Sequence, residues 1–219
     1  TAGMGNYFNE EFLNASRARF RELDDYKAIM PRELLFEPGS RFQYSNAGLF
    51  LAGVIVEKVS GQNYFDYIRE HIYKPADMSD TDCYDTDVPV PNLAMGYFID
   101  QDGVLRNNYF AHSARGGPAG GGFSTAPDLL KFTRALIENK LVSAEMRKTL
   151  WTPCPVMPDY GYGFGIEENG WYGHNGGAPG ISAWMTTNPE TGFTIVTLAN
   201  FGSTRDAYWK MRSLIDNLE

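Results

Sequence analysis

An α+β fold is predicted from three observations. Residues 1–157 hold capped helical segments separated by Pro- and Gly-rich loops. From residue 158 the texture changes to short β-prone runs joined by turn dipeptides, and the chain closes on a helical stretch. Helices first, an antiparallel meander next and a last helix to pack on it differ from the β-α-β alternation of a parallel sheet. We therefore read 1–157 as a mostly helical and loop region and 158–219 as antiparallel strands with a C-terminal helix, together one domain.

The elements follow in order. Asn9 before Glu10 and Glu11 starts a helix running to about Leu23. Pro31 and Pro38-Gly39 break the chain into a loop. Ser45 or Asn46 caps the clearest helix, Ala47 to Val59, which stops at Ser60-Gly61. It is apolar on most sides, and such a helix is normally a buried one. A shorter helix spans Tyr64 to Ile72, before Pro75. Between 76 and 123 the composition is loop-like, with a hairpin around Asp102-Gly103 joining Tyr97–Ile99 to Val104–Leu105. Thr125-Ala-Pro-Asp128 opens a helix to about Glu138, and Ser143 caps another to Trp151. Strands are expected at Tyr162–Ile166, Trp171–His174, Ile181–Thr187 and Phe193–Asn200, with turns at Asn169-Gly170 and Pro189–Gly192. Arg205 to Leu218 is the closing helix.

Composition narrows the function classes. Of 219 residues, 43% are hydrophobic and 21% charged, a globular balance. Asp and Glu number 27 against 19 Lys and Arg, a net charge of −8, which repels phosphate backbones and anionic lipid and argues against nucleic acid as a partner. The longest nearly apolar run, Ala47 to Val56, is half of the ~20 residues a membrane span needs. Phosphate-loop, dinucleotide-binding and zinc-protease signatures are absent, so no cofactor is implied. The three histidines, His71, His112 and His174, fall in three different elements with no partner at ligand spacing, so no metal is expected. Cys83 and Cys154 sit in no C-x-x-C pattern; they could pair in an oxidising compartment or remain two thiols.

Three segments carry possible chemistry. In Phe36-Glu-Pro-Gly-Ser-Arg-Phe-Gln-Tyr44-Ser45-Asn46, alternation in an extended chain would present the Tyr44 phenol and the Asn46 amide to one cleft. A phenol serves as a base only where cations lower its pKa from ~10. The alternative is that Tyr44 packs and Ser45 or Asn46 merely caps. In Gly173-His174-Asn175-Gly176-Gly177-Ala178-Pro179-Gly180, the glycines would admit a substrate backbone, a Gly N–H could serve as an oxyanion donor, and His174 supplies a titratable group. The alternative is a wide turn with an exposed histidine. The run Gly116 to Thr125, with Gly121 and Gly122, could bind an anion at a helix start or be a structural turn.

Together and in this order, the segments resemble the penicillin-recognising serine hydrolases of the class C β-lactamase type, including D-alanyl-D-alanine carboxypeptidases, D-aminopeptidases and esterases. FEPGSRFQYSNAGLFLAGVIVEKVSG is similar to the family's Tyr-x-Asn segment and the helix after it. YFDYIREHIYKPADMSDT, LAMGY, GGPAGGGFSTAPDLLKF and YGHNGGAPGISAWMTTNPETGFTIVTLAN continue the resemblance in register. It implies Tyr44 as base or proton shuttle, Asn46 as binder of a substrate amide, His174 as the third-motif basic residue and Gly177 N–H as an oxyanion donor. Asn175, Gly176, Gly121 and Gly122 are implied to line the substrate, a small molecule or peptide. Histidine rather than lysine in the third motif leans toward peptidases and esterases. The implied location is periplasmic, extracellular or membrane-anchored, with the cytoplasm left open.

One departure stands out. The family's first motif is Ser-x-x-Lys, and no serine here has lysine three residues later. Thr1-Ala-Gly-Met-Gly resembles a stretch that follows that motif, so the expectation is an incomplete β-lactamase-like fold that lacks the nucleophile and the first strands. Ser45 and Ser124 sit in no strained elbow and beside no visible base. Two functions follow: a portion of a serine hydrolase, inactive alone, or a non-catalytic binding module that retains the fold. An open sheet edge is also expected, with homodimerisation or strand exchange through 160–200.

Overall fold

Asn9 accepts a hydrogen bond from the Phe12 N–H and starts helix α1, Glu10–Asn14, in the computed structural model, which describes residues 1–218. The helix expected to reach Leu23 ends at an extended Ala15, and two 3-10 turns, Arg17–Arg19 and Leu23–Tyr26, replace it. Packing explains the break. Eight residues of straight helix would hold Phe12 and Phe20 roughly 12 Å apart. The folded-back chain brings their ring centroids to 5.0 Å. Both rings join Tyr7, Leu23, Tyr26, Ile29 and the buried face of the next helix in one core.

That helix, α2 (Asn46–Ser60), is capped by Ser45, whose Oγ accepts from the Gly48 N–H, and ends at a left-handed Gly61. The expectation that it is buried all round fails. Ala47, Phe50 and Gly53 are buried, whereas Leu51, Ile55 and Val59 are exposed, Val59 at 83%. Only one face meets another element among the described residues. At Gly53 a Cβ would lie 2.1 Å from Pro118 Cγ, so the missing side chain is what seats the Gly-rich loop on α2. Helix α3, Tyr64–Ile68, continues as a π-helical turn over Arg69–Tyr73 where a longer α-helix was expected. Hairpin strands β1 (Tyr97–Ile99) and β2 (Leu105–Asn107) flank the predicted turn. Helices α4 (Ala126–Ile137) and α5 (Ala144–Leu150) start at their predicted caps, Thr125 and Ser143.

The main sheet is antiparallel in chain order: β3 (Gly165–Glu167), β4 (Trp171–Ala178), β5 (Ile181–Thr187) and β6 (Thr194–Ala199). β3 starts three residues later than expected, and β4 runs four residues beyond His174. Helix α6, Arg205–Asp216, packs on β5 and β6. Neighbouring side chains on β6 face opposite ways: Ile195 joins Trp171 and Tyr208 of α6 in a core, while Thr194 Oγ1 lies 3.5 Å from Thr133 Oγ1 of α4. Helices thus cover both faces of β6. The sheet is tied to α6 by Arg212, whose side chain is 5% exposed and bonds Glu167 at 2.7 Å and Asp216 at 3.0 Å. Its guanidinium also lies 4.1 Å above the Trp171 ring. Among the described residues no strand pairs with Thr194–Ala199 on the side away from β5, and just beyond it Tyr97 of β1 bridges Phe201, with Tyr97 N donating to the Asn200 carbonyl at 2.8 Å.

Candidate functional site

The local fold of two segments builds the site. The first is the loop entering α2. Ser45 caps α2 through its oxygen and donates its hydroxyl proton to the Gly5 carbonyl at 2.6 Å, so the loop carrying Tyr44 is fixed at its base. The two bonds occupy the Ser45 hydroxyl structurally. Ser124 is likewise engaged, 2.8 Å from Thr81 Oγ1. Neither serine is placed as a nucleophile.

The second segment is β4. Its ladder with β5 runs from Tyr172↔Thr187 to Ala178↔Ile181, so His174-Asn175-Gly176-Gly177 is strand and the wide-turn alternative is excluded. On the other side β3 pairs only with Trp171–Gly173. The outer edge of β4 is therefore open from His174 to Ala178, and Gly177 lies on that edge. A Pro179-Gly180 turn closes the hairpin. Gly180 has φ +74°, and a Cβ there would lie 2.6 Å from the Tyr97 nitrogen, so both conformation and packing exclude a side chain. Asn108 Nδ2 donates to the Pro179 carbonyl at 3.2 Å, and His112 Nε2 lies 3.1 Å from the same oxygen. Burial lowers the His112 pKa, against the opposing effect of that carbonyl.

The two segments meet. The Tyr44 ring centroid is 6.1 Å from that of His174 and 6.2 Å from that of Tyr160. Tyr160 Oη lies 2.9 Å from His174 Nε2, and His174 Nδ1 is 2.7 Å from the Asn175 carbonyl. Phe42 packs on Tyr160 at 5.5 Å. A depression of ≈ 230 Å³ beside the group is lined by Asp159, Tyr160, His174, Asn175 and Trp184, among others.

The electrostatics run against ionised phenols. Burial raises the Tyr44 pKa, and no cation opposes it. Burial and the neighbouring Tyr44 push Tyr160 up to about 12. The cationic surroundings that a Tyr44 base requires are not supplied by the described residues.

The structure therefore brings Tyr44 and His174 together and sets Asn175, Gly176 and Gly177 along the open edge. Asn46 is the first residue of α2, two positions from Tyr44, and its side chain makes no hydrogen bond among the described residues. Gly121 and Gly122 are placed differently. Their neighbours are Gly116, Cys83 and Asp82, and the loop closes on itself through reciprocal Gly117–Gly120 backbone bonds of 2.8 and 2.9 Å. Tyr160 was missed by sequence reasoning. Its signal was faint: one of thirteen tyrosines, opening a Tyr160-Gly-Tyr-Gly run just before a strand. No group of three or more His, Cys, Asp or Glu that could hold a metal occurs among the described residues, and no helix there is long and apolar enough to cross a membrane. Cys83 and Cys154 are both free thiols.

Comparison with known proteins adds the following. The family model described as Beta-lactamase matches residues 1–214. Penicillin-binding protein 4* of Bacillus subtilis (strain 168) is 29% identical over 224 residues, covering 91% of this chain and 49% of the relative. The chain thus spans about half the length of that curated relative, and 38% of the mouse mitochondrial serine beta-lactamase-like protein LACTB. Among solved structures, a penicillin binding protein from Bacillus halodurans superposes with a TM-score of 0.89 at 28% identity, covering 98% of this chain and 70% of that one. An octameric penicillin-binding protein homologue from Pyrococcus abyssi gives 0.71 at 26% identity, covering 90% and 49%.

Proposed function

This chain belongs to the Beta-lactamase family, a family of serine hydrolases, and we propose that it carries the Tyr-x-Asn and His-x-Gly half of a serine hydrolase site acting by acyl-enzyme chemistry on D-amino-acid peptides, β-lactams or small esters. The observation that carries this is the meeting of Tyr44 with His174 at the mouth of an open strand edge that runs on to Gly177. An extended substrate can lie antiparallel to that edge, its carbonyl oxygen directed at a backbone N–H. In this reading Gly177 N–H is one oxyanion donor, Asn46 holds a substrate amide, and Asn175 and Gly176 line the bound chain.

The nucleophile comes from outside these 219 residues in this reading, since none of their serines stands in Ser-x-x-Lys. It also supplies what Tyr44 lacks: a lysine beside the phenol would offset the burial that raises its pKa. This chain alone is then inactive, because a nucleophilic site without its nucleophile keeps only binding and oxyanion contributions. The test is labelling of the longer protein by fluorescent penicillin or fluorophosphonate. A serine adduct within a Ser-x-x-Lys segment is expected; no adduct with either reagent overturns the reading.

A binding module without catalysis is the second reading, favoured by the uncharged surroundings of Tyr44. An open reading frame starting near Thr1 would support it, and a Ser-x-x-Lys encoded upstream would end it. On assembly, we propose pairing of two copies through the unpaired edge of β6. Sedimentation of a strict monomer at high concentration argues against that.

A further inference from the structure

Tyr160 belongs to none of the motifs that carry the family resemblance, yet its hydroxyl is the only side-chain group bonded to the His174 imidazole among the described residues. The hydrogen positions follow from chemistry. The Asn175 carbonyl, 2.7 Å from His174 Nδ1, can only accept, so Nδ1 carries a hydrogen. In the neutral ring Nε2 is then a bare lone pair, and the Tyr160 hydroxyl, 2.9 Å away, is the donor to it.

We propose that Tyr160 is the positioning residue for His174, fixing the Nδ1–H tautomer and placing a phenolic hydroxyl between Nε2 and the cleft. The inference rests on the reading of His174 as a site residue. Its consequence is specific. A proton arriving at Nε2 reverses the bond: Nε2–H donates to Tyr160 Oη, and the Tyr160 O–H turns to donate to whatever oxygen occupies the cleft. No proton is gained or lost beyond the one that arrives. Exchange with a substrate runs through Oη: a substrate proton bonds to Oη as the Tyr160 O–H bond breaks toward Nε2, so one proton enters and one leaves and Tyr160 itself need not ionise, in keeping with a pKa pushed up to about 12.

The position of Tyr160 supports this. The residue forms a single bridge with Gly165 at the point where β3 begins, and Ile166 N donates to the Asp159 carbonyl at 2.9 Å. The hydroxyl is therefore presented from the end of β3, where the β4 edge becomes open. The ring is wedged between Phe42 and Tyr44, at centroid distances of 5.5 and 6.2 Å. A phenylalanine would keep that packing and remove only the donor.

The experiment is long-range ¹H–¹⁵N correlation of His174 in this chain and in Tyr160→Phe, with the imidazole neutral. The unmutated chain should show a protonated Nδ1 and a bare Nε2. In Tyr160→Phe the ratio of Nδ1–H to Nε2–H tautomer should fall about three- to tenfold, the worth of one neutral hydrogen bond. A dominant Nε2–H form in the unmutated chain, or an unmoved ratio in the variant, overturns the proposal. Should Tyr160→Phe fail to fold, hydroxyl-proton exchange in the unmutated chain decides. A slowly exchanging Tyr160 proton coupled to His174 Nε2 supports the bond, and a rapidly exchanging one overturns it. In the longer protein, Tyr160→Phe should lower the acylation rate severalfold with little change in substrate affinity. If the unmutated longer protein does not acylate at all, the hydrolase reading fails while the tautomer result stands separately.

Discussion

The two halves of the candidate site are held in place by different physics. Tyr44 rides on a loop backed by a nearly all-apolar core in which the rings of Tyr7, Phe12, Phe20, Tyr26 and Phe50 pack tilted or edge on ring, each within 6 Å of a neighbour. His174 rides on a strand with a full ladder on one side and, past the short pairing of β3 with Trp171–Gly173, no strand on the other among the described residues, and polar groups anchor both ends of that strand. At the Trp171 end stand Glu167 and Arg212; at the Pro179 end stand Asn108 and His112. A loop can borrow rigidity from packing beneath it. An exposed strand edge must stay accessible, so its support comes from directional bonds at its ends. The first half should therefore be sensitive to lost volume and the second to lost charge and to pH.

The largest expected effect tests the packing side. Phe50 is 2% exposed at the centre of the aromatic cluster. Phe50→Ala should cost about 3–5 kcal/mol by removing both transfer energy and ring contacts, read as a fall in urea midpoint. Loss of the Tyr44 ring contacts in its NMR spectrum should accompany it, with the β4–β5 ladder spared. A stability loss below a quarter of that range would show that the cluster is loosely packed.

Next comes Arg212→Ala on the polar side. It strands Glu167, whose side chain is 26% exposed, so the cost should sit near about 3 kcal/mol, the low end for a broken buried pair. The β3 end of β4 should lose hydrogen-exchange protection before Tyr44 responds. Simultaneous loosening of both halves would break the contrast.

A smaller effect is expected at Asp128, buried at the start of α4. Burial alone would raise its pKa, but bonds from Asp80 N, Thr81 Oγ1 and Lys131 outweigh it and hold it below the ordinary range. A depressed carboxylate stabilises the fold fully above its unfolded pKa of ~3.9, and that contribution is lost as pH falls through the folded value. Asp128→Asn should cost about 1–3 kcal/mol at pH 7 and flatten the acid limb of the stability curve. An unchanged acid limb would dismiss the clamp.

The smallest effect belongs to His112. Its pKa is lowered in the folded state, so the fold favours the neutral ring, and stability should erode as pH falls below the unfolded value of ~6.5. His112→Gln should remove that slope with little change at pH 8. Thermal melts from pH 5 to 8 check it, and an identical slope in the variant would assign the pH dependence elsewhere.

How much of this was legible beforehand follows the same division. Local signals worked. Ser45 and Gly61 bracket α2, Thr125 and Ser143 cap their helices, and Asn169-Gly170, both at positive φ, make the turn before β4. Signals that depend on distant partners did not. The break at Ala15 exists only because Phe12 and Phe20 must meet, which helical propensity cannot announce. The exposed face of α2 looks apolar whether or not anything covers it. Within the site, Tyr44 and His174 were findable because they sit in ordered motifs, and Tyr160 was not. Its meaning lies in a hydroxyl 2.9 Å from a ring fourteen positions further along the chain.

The seat of the Gly-rich loop on α2 has a genetic consequence. Residues 53 and 118 share one volume: a methyl group at 53 would stand 2.1 Å from the Pro118 ring carbon. The two codons should therefore show epistasis. A Gly53→Ala lesion should be partly suppressed by shrinking residue 118 to glycine, although that second change alone loosens the loop. A suppressor screen begun from Gly53→Ala should return position 118 sixty-five residues away before it returns any neighbour on the helix itself.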